Sequence, residues 1–229
     1  MGWLKPVNTW PAFAGEIATI VIGVLIALGA EQLLDDWNWQ RRIEAQKSAL
    51  DQDVAGMWSA MSARLVVQPC VDKRLDELKL VFERKDRGAP LGIVAAIGRP
   101  AKWTGSQAAL RMATADGSLS HMKFDDKQAY FGVGDSYDTF ATSVDEERTS
   151  WRVLQALNEP DNLDEADWRE LRRAYREAVE SNRIMKIGLV ADRPGVWLTA
   201  FAKFPRLPDN KDALAHPFVQ DLCRPAVRN

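Results

Sequence analysis

The pattern of apolar positions is most continuous near the start of the chain. Between Trp10 and Ala30 the only charged residue is Glu16, and acidic residues follow the run at once. A helix of roughly 20 apolar residues is long enough to cross the hydrocarbon core of a bilayer. The pattern therefore predicts a transmembrane helix over residues 10–34, preceded by a short tail at residues 1–9.

Tryptophans lie on both sides of this apolar run, at Trp10 before it and at Trp37 and Trp39 after it. The 27 steps between Trp10 and Trp37 span about 40 Å in a helix, which matches the hydrocarbon core plus the headgroup regions. Paired aromatic belts of this kind are typical of membrane helices. Two alternatives stay open: a cleavable signal segment, and a buried helix of a soluble domain.

One face of the predicted span is made of small residues. Spacing of four residues brings small side chains onto a single stripe, the pattern that lets membrane helices approach each other closely. A helix partner, either a second copy or another protein, is therefore expected on this face. An ionisable group at this depth is expensive, so the one on the stripe faces either a partner or the lipid headgroups. The residues of this face are Gly15, Glu16, Thr19, Gly23, Ala27 and Ala30.

Beyond the span, apolar residues keep a helical period for several further turns. The pattern predicts that the membrane helix continues as a stalk over residues 35–68, and that Pro69 interrupts it. A helical-bundle domain is predicted over residues 69–204, with an irregular tail at residues 205–229. The one plausible strand, residues 195–204, is equally consistent with a helix, so the expected fold class is all-α.

Three capping-box patterns predict where helices of the bundle begin. In such a box, a polar side chain and a residue three positions later each accept or donate a hydrogen bond at the first helical turn. The pairs are Thr104 with Gln107, Asp125 with Gln128, and Asn162 with Glu165.

Composition and charge argue against several classes of function. The chain is 46% hydrophobic and 27% charged, which is typical of a folded protein. With 30 basic and 32 acidic residues the net charge is -2, which argues against nucleic-acid binding. The two histidines lie outside any metal-binding spacing, and the sequence has no nucleophile-elbow motif. We therefore expect that the protein has no metal site, needs no cofactor and is not an enzyme.

The chain has two cysteines, Cys70 and Cys223. A single structural disulfide formed in an oxidising compartment is one interpretation, and two unrelated buried thiols are the other. Basic residues near the span do not decide its orientation, because Lys5 precedes it whereas Arg41 and Arg42 follow it. Taken alone, that count mildly favours a cytoplasmic C-terminal domain.

About 25 residues near the start of the chain also resemble a known signature. Gly15-Glu16-Ile17, the run from Val21 to Leu28, and Trp37-Asn38 resemble the start of a family of uncharacterised bacterial single-pass inner-membrane proteins. The resemblance implies an inner-membrane anchor with a C-terminal domain, and it implies no activity and no site residue. The chain departs from the family at residues 29–31, where polar Gln and Asn residues are usual. With the cysteine pair, the resemblance favours a periplasmic C-terminal domain.

These observations predict a non-enzymatic protein that acts as an interaction or accessory subunit. Its expected partners are the lipid bilayer and either a second copy or a larger membrane-protein complex. The alternative is a periplasmic ligand-sensing bundle that signals through a partner. In that alternative a pocket would be lined by aromatic residues that could equally form the core, namely Trp103, Tyr137, Trp151, Trp168 and Tyr175.

Overall fold

A computed structural model describes residues 10–189, 196–204, 207, 210–215 and 217–228. Its first element, α1, is a helix of 77 residues from Trp10 to Asp86. At 1.5 Å per residue this helix is about 115 Å long. The described residues contain no strand, and Ile93 and Val227 form their one isolated β-bridge. The predicted all-α fold class is therefore confirmed.

The predicted interruption at Pro69 is wrong, because α1 continues through it. A proline inside a helix removes one backbone hydrogen bond and costs about 3 kcal/mol. Pro69 itself is exposed, whereas Val67 and Val71 on either side are buried. Packing of these neighbours holds the helix together across the proline. Core residues also begin at Leu50, so much of the predicted stalk lies inside the bundle.

The remaining helices surround the second half of α1. They are α2 (Ala108–Ala115), α3 (Phe124–Leu154), α4 (Glu165–Leu189) and α5 (Pro217–Cys223). Short 3-10 turns connect them at Ser118–His121, Gln155–Asn158, Pro160–Asn162, Leu198–Lys203 and Lys211–Ala215. The ambiguous segment after α4 is thus a 3-10 turn in its described part, and the tail is partly helical.

Side-chain contacts give the directions of the two long partner helices. Tyr130 and Glu147 of α3 bond to Asp51 and Arg64 of α1, so α3 runs parallel to α1. Helix α4 runs back in the opposite direction. Its Trp168 packs against Phe82, whereas its Asn182 bonds to Gln68, nearer the start of α1.

The helix starts differ from the three capping-box predictions. No side chain caps the N-terminus of α2 from Gln107, or that of α3 from Lys123. Instead, Asp53 of α1 accepts hydrogen bonds from the backbone N–H groups of Ala109 and Leu110, at 2.7 and 3.3 Å. The carboxylate from α1 therefore adds to the one local contact, in which the backbone N–H of Ala108 donates to the Ser106 hydroxyl at 3.0 Å.

At α4 the cap lies two residues later than predicted. Asp164 accepts hydrogen bonds from the backbone N–H groups of Ala166 and Asp167, at 2.7 and 2.8 Å. These backbone hydrogen bonds stabilise the carboxylate and lower the pKa of Asp164. In return, the backbone N–H of Asp164 donates to the carboxylate of Asp167, which completes a reciprocal cap.

Two clusters of buried apolar side chains fill the bundle, and a polar layer separates them. Along α1 the first cluster ends at Met61 and the second begins at Val67. Arg64 lies between them and is about 1% exposed. Its guanidinium donates to both carboxylate oxygens of Glu147 on α3, at 2.7 and 3.2 Å.

The polar layer extends from this ion pair to α4. Gln68 accepts a hydrogen bond from Arg64 at 2.7 Å and donates one to Asn182 of α4, also at 2.7 Å. Asn182 in turn donates to Asp72 at 2.7 Å. Each buried polar group of the layer therefore has a partner, which is the condition under which such a network is tolerated in a core.

We expect Glu147→Ala to lower the free energy of unfolding by about 3–5 kcal/mol, because it leaves the Arg64 guanidinium buried without its counter-charge. Urea unfolding of the full chain in detergent, followed by circular dichroism, measures this loss. Glu180→Ala is the matched control, since Glu180 pairs with Arg183 on the exposed surface of α4. Its unfolding midpoint should stay near that of the wild type. Equal losses of unfolding free energy in the two variants would contradict the role of Glu147 as the buried counter-charge of Arg64.

Candidate functional site

The N-terminal part of α1 is covered by no other described part of the chain. The most apolar stretch of this helix has none of its residues buried. Large side chains such as Leu25, Ile26 and Leu33 are 63%, 67% and 73% exposed. By length and composition, α1 is the one helix among the described residues that is able to cross a membrane.

The predicted small-residue face lies within this exposed segment. Glu16, Thr19, Ala27 and Ala30 are all exposed, and a methyl group added at Gly15 or Gly23 meets no atom within 4 Å. The Thr19 hydroxyl donates to the backbone carbonyl of Gly15 at 2.9 Å, so its hydrogen bond is made inside the helix. The face is therefore open along its length and leaves room for a second helix.

The three predicted interface tryptophans differ in their contacts. Trp10 is 84% exposed and packs edge-on against Phe13. Trp37 is 52% exposed, with the guanidinium of Arg41 lying 4.2 Å from its ring centroid. Trp39 is half-buried instead, because its ring stacks on His121 at 3.9 Å. The bundle therefore begins to contact α1 only a few residues after the apolar segment.

Polar contacts fix this base of the bundle to α1. Gln46 and Lys47 bond to Asp116 and Asp126, at 2.8 and 3.0 Å. The hydroxyl of Tyr130, which lies one turn further along α3, donates to Asp51 at 2.6 Å. Burial and the neighbouring Asp51 carboxylate raise the pKa of Tyr130, so the phenol keeps its proton to a higher pH than a free tyrosine does.

The two cysteines are joined by a disulfide. Cys70 of α1 and Cys223 at the end of α5 have Cα atoms 4.7 Å apart, and the bond links positions separated by 153 residues. Of the two interpretations open from the sequence, the disulfide is the one present in the structure. It ties the C-terminal segment to the middle of α1.

Arg74, one turn beyond Cys70, also holds the C-terminal segment. It is about 1% exposed, and its Nε lies 2.9 Å from a carboxylate oxygen of Glu77. Burial lowers the pKa of Arg74, and the Glu77 carboxylate partly opposes this effect. The guanidinium donates to five backbone carbonyls, those of Ala96, Ile97, Asp221, Leu222 and Arg224.

Sequence reasoning missed both Arg64 and Arg74, although a signal was present for Arg74. Arginine on a helix is usually a surface residue. Arg74, however, follows Val71 by three positions and precedes Leu78 by four, so it lies on the apolar stripe. A charged residue on a buried stripe needs a partner inside the fold.

The aromatic residues proposed to line a ligand pocket do not converge on one site. Tyr137 is buried in the first apolar cluster, whereas Trp151 and Trp168 are buried in the second. Tyr175 packs against this second cluster, and Trp103 lines a surface cleft beside α5. Among the described residues, no group of three or more His, Cys, Asp or Glu side chains is placed to hold a metal ion.

The architecture is that of a helical bundle built around one long helix, whose N-terminal segment is exposed, apolar and long enough to cross a bilayer. Comparison with protein-family models, with curated proteins and with solved structures finds no match.

We expect reduction of the disulfide to lower the free energy of unfolding by about 5 kcal/mol, because it frees a long loop in the unfolded chain. Urea unfolding of the full chain, with and without dithiothreitol, measures the difference. The double variant Cys70→Ser/Cys223→Ser is the control. It should unfold like the reduced wild type and should not respond to the reductant. A wild type equally stable in both conditions would contradict this expectation.

Proposed function

We propose that this chain is a non-enzymatic, single-pass membrane protein that acts as an interaction or accessory subunit of a membrane assembly. The exposed apolar segment of α1 is the observation that carries the proposal. Soluble proteins rarely leave a continuous apolar surface of this size in water. A bilayer covers such a surface, and the resemblance to single-pass inner-membrane proteins agrees with this placement.

The two faces of the segment support different contacts. Large apolar side chains such as Val21, Leu25 and Leu28 lie opposite the small-residue face and suit lipid tails. Gly15 and Gly23 lie on the small-residue face, where a second helix can approach to backbone distance. Such a contact also gives Glu16 a protein environment, which is less costly for its carboxylate than lipid. The proposed assembly is therefore formed inside the membrane, with a second copy or with another helix.

The disulfide supports a location for the bundle. Structural disulfides persist in oxidising compartments and are rare in the cytosol. The Cys70–Cys223 bond therefore favours a bundle on the periplasmic side of a bacterial inner membrane. We give the disulfide more weight than the small excess of basic residues after the span, at Arg41 and Arg42, because that excess is preceded by acidic residues.

Gly23→Leu tests the proposed contact, because its side chain fills the space into which a partner helix packs. We expect the variant to lose its oligomeric state or its co-purifying partner after mild detergent extraction. Native mass spectrometry of the extracted full chain measures both. Gly29→Leu is the matched control, since Gly29 lies about 100° from the centre of the small-residue face. An assembly unchanged in Gly23→Leu, or disrupted equally in both variants, would contradict the proposal.

The compartment is tested separately by trapping thiols in intact cells with acid and then alkylating them with a maleimide-polyethylene glycol. We expect no shift in gel mobility without prior reduction, and a shift by two adducts after it. The Cys223→Ser variant, which shifts by one adduct without reduction, calibrates the assay. A wild-type chain found with two free thiols would contradict the periplasmic location.

A further inference from the structure

A surface cleft of about 520 Å³ lies between three elements of the bundle. One wall is the loop of residues 96–103, the second is the C-terminal end of α3 with the turn after it, and the third is α5. We call this space the arginine cleft. The lining residues that matter for its chemistry are Arg99, Lys102, Trp103, Arg148, Asn158 and Asp221.

The charges of the arginine cleft are unbalanced. Three cationic side chains line it, and Asp221 contributes one carboxylate. Lys102 is already paired with Asp145, at 2.5 Å. Within the part of the chain that the structure describes, neither Arg99 nor Arg148 has a carboxylate within 4 Å, although both side chains are half-buried. These two arginines have thus lost part of their hydration without gaining an ion-pair partner within 4 Å.

The walls of the arginine cleft are fixed by contacts within the protein. The backbone N–H of Ile97 donates to Asn158 at 2.7 Å, and Arg74 donates to the carbonyls on either side of the cleft. Gly98 has a φ of +66°, and a Cβ there would lie 3.3 Å from Cα of Leu222, so a side chain at this position would be strained and would crowd α5. A preformed site spares a ligand the free-energy cost of ordering the protein.

We propose that the arginine cleft binds a small organic anion. The guanidinium groups of Arg99 and Arg148 would hold its carboxylate or phosphate group, because their planar donors suit both oxyanions. Pro100 and the indole of Trp103 offer an apolar wall for the rest of the molecule. This inference goes beyond the membrane contact proposed above and does not depend on it.

The position of the arginine cleft favours a soluble ligand over a lipid headgroup. The cleft lies beside the part of α1 that contains Arg64 and Arg74. Arg148 is next to Glu147, which pairs with Arg64, and the backbone carbonyl of Asp221 accepts a hydrogen bond from Arg74. Arg64 lies 30 residues beyond Leu34, the last residue of the predicted span, which is about 45 Å along the helix axis. Headgroups extend only several ångströms from the hydrocarbon core.

Isothermal titration calorimetry of the full chain in detergent tests the proposal with three probes of similar size. Phenyl phosphate and benzoate carry the two oxyanions, and benzyl alcohol is the neutral control. We expect at least one anion to bind, with no heat from benzyl alcohol, and to bind more weakly as salt is added. Tighter binding of phenyl phosphate assigns phosphate esters as the ligand class, and tighter binding of benzoate assigns carboxylates.

Variants then locate the binding. Arg99→Gln and Arg148→Gln should each lower the affinity for the anion about tenfold or more, because each removes charged hydrogen bonds. Arg99→Lys should fall between, since it keeps the charge and loses the planar donor pair. Arg152→Gln is the matched control, because Arg152 is exposed on α3, one turn from Arg148 and outside the cleft. This variant should bind the anion with the affinity of the wild type. Unfolding midpoints confirm that each variant folds.

Two results would overturn the proposal. One is the absence of binding by both anions beyond that of benzyl alcohol. The other is an affinity that Arg99→Gln and Arg148→Gln leave unchanged, or that Arg152→Gln lowers equally.

Discussion

The guanidinium of Arg74 organises the half of the bundle that lies furthest from the apolar segment. Its donors reach backbone carbonyls in two segments that are distant in sequence, at Ala96 in the loop after α1 and at Leu222 in α5. Neither segment belongs to a long helix that could satisfy its own carbonyls. A buried cation that donates to them compensates for the water they lose, and Glu77 balances its charge. The disulfide beside it adds a covalent link to the same place.

A second buried arginine, Arg64, sets how the three long helices lie along one another. Apolar packing alone tolerates sliding of one helix against the next, because many side chains of similar size can exchange places. Arg64 must reach Glu147 on α3, and Gln68 must reach Asn182 on α4. Only one alignment of the three helices satisfies both contacts. We infer that the polar layer specifies the register of the bundle, at some cost in stability compared with an apolar layer.

Helical periodicity was sufficient to predict the fold class and the approximate extent of the main helices, because those features depend on local pattern. The ends of the helices were harder to predict. Asp53 caps α2 from a different helix, and no local motif records such a contact. The break expected at Pro69 is absent because tertiary packing outweighs a local preference. The arginine cleft joins residues from three distant segments, so its existence depends on the folded arrangement rather than on any motif.

Helix α1 runs without a break from the apolar segment to Asp86, the far end of the bundle. A tilt at one end of such a continuous helix displaces its other end. From Leu34 to Asp86 it extends about 78 Å, so in the proposed membrane placement a change of 10° in the tilt of the apolar segment would move the far end sideways by about 14 Å. Membrane helices adjust their tilt when bilayer thickness or a neighbouring helix changes. The bundle packs against the part of α1 beyond the apolar segment, so in the proposed membrane placement the angle of the helix in the bilayer would set the position of the bundle above the membrane surface.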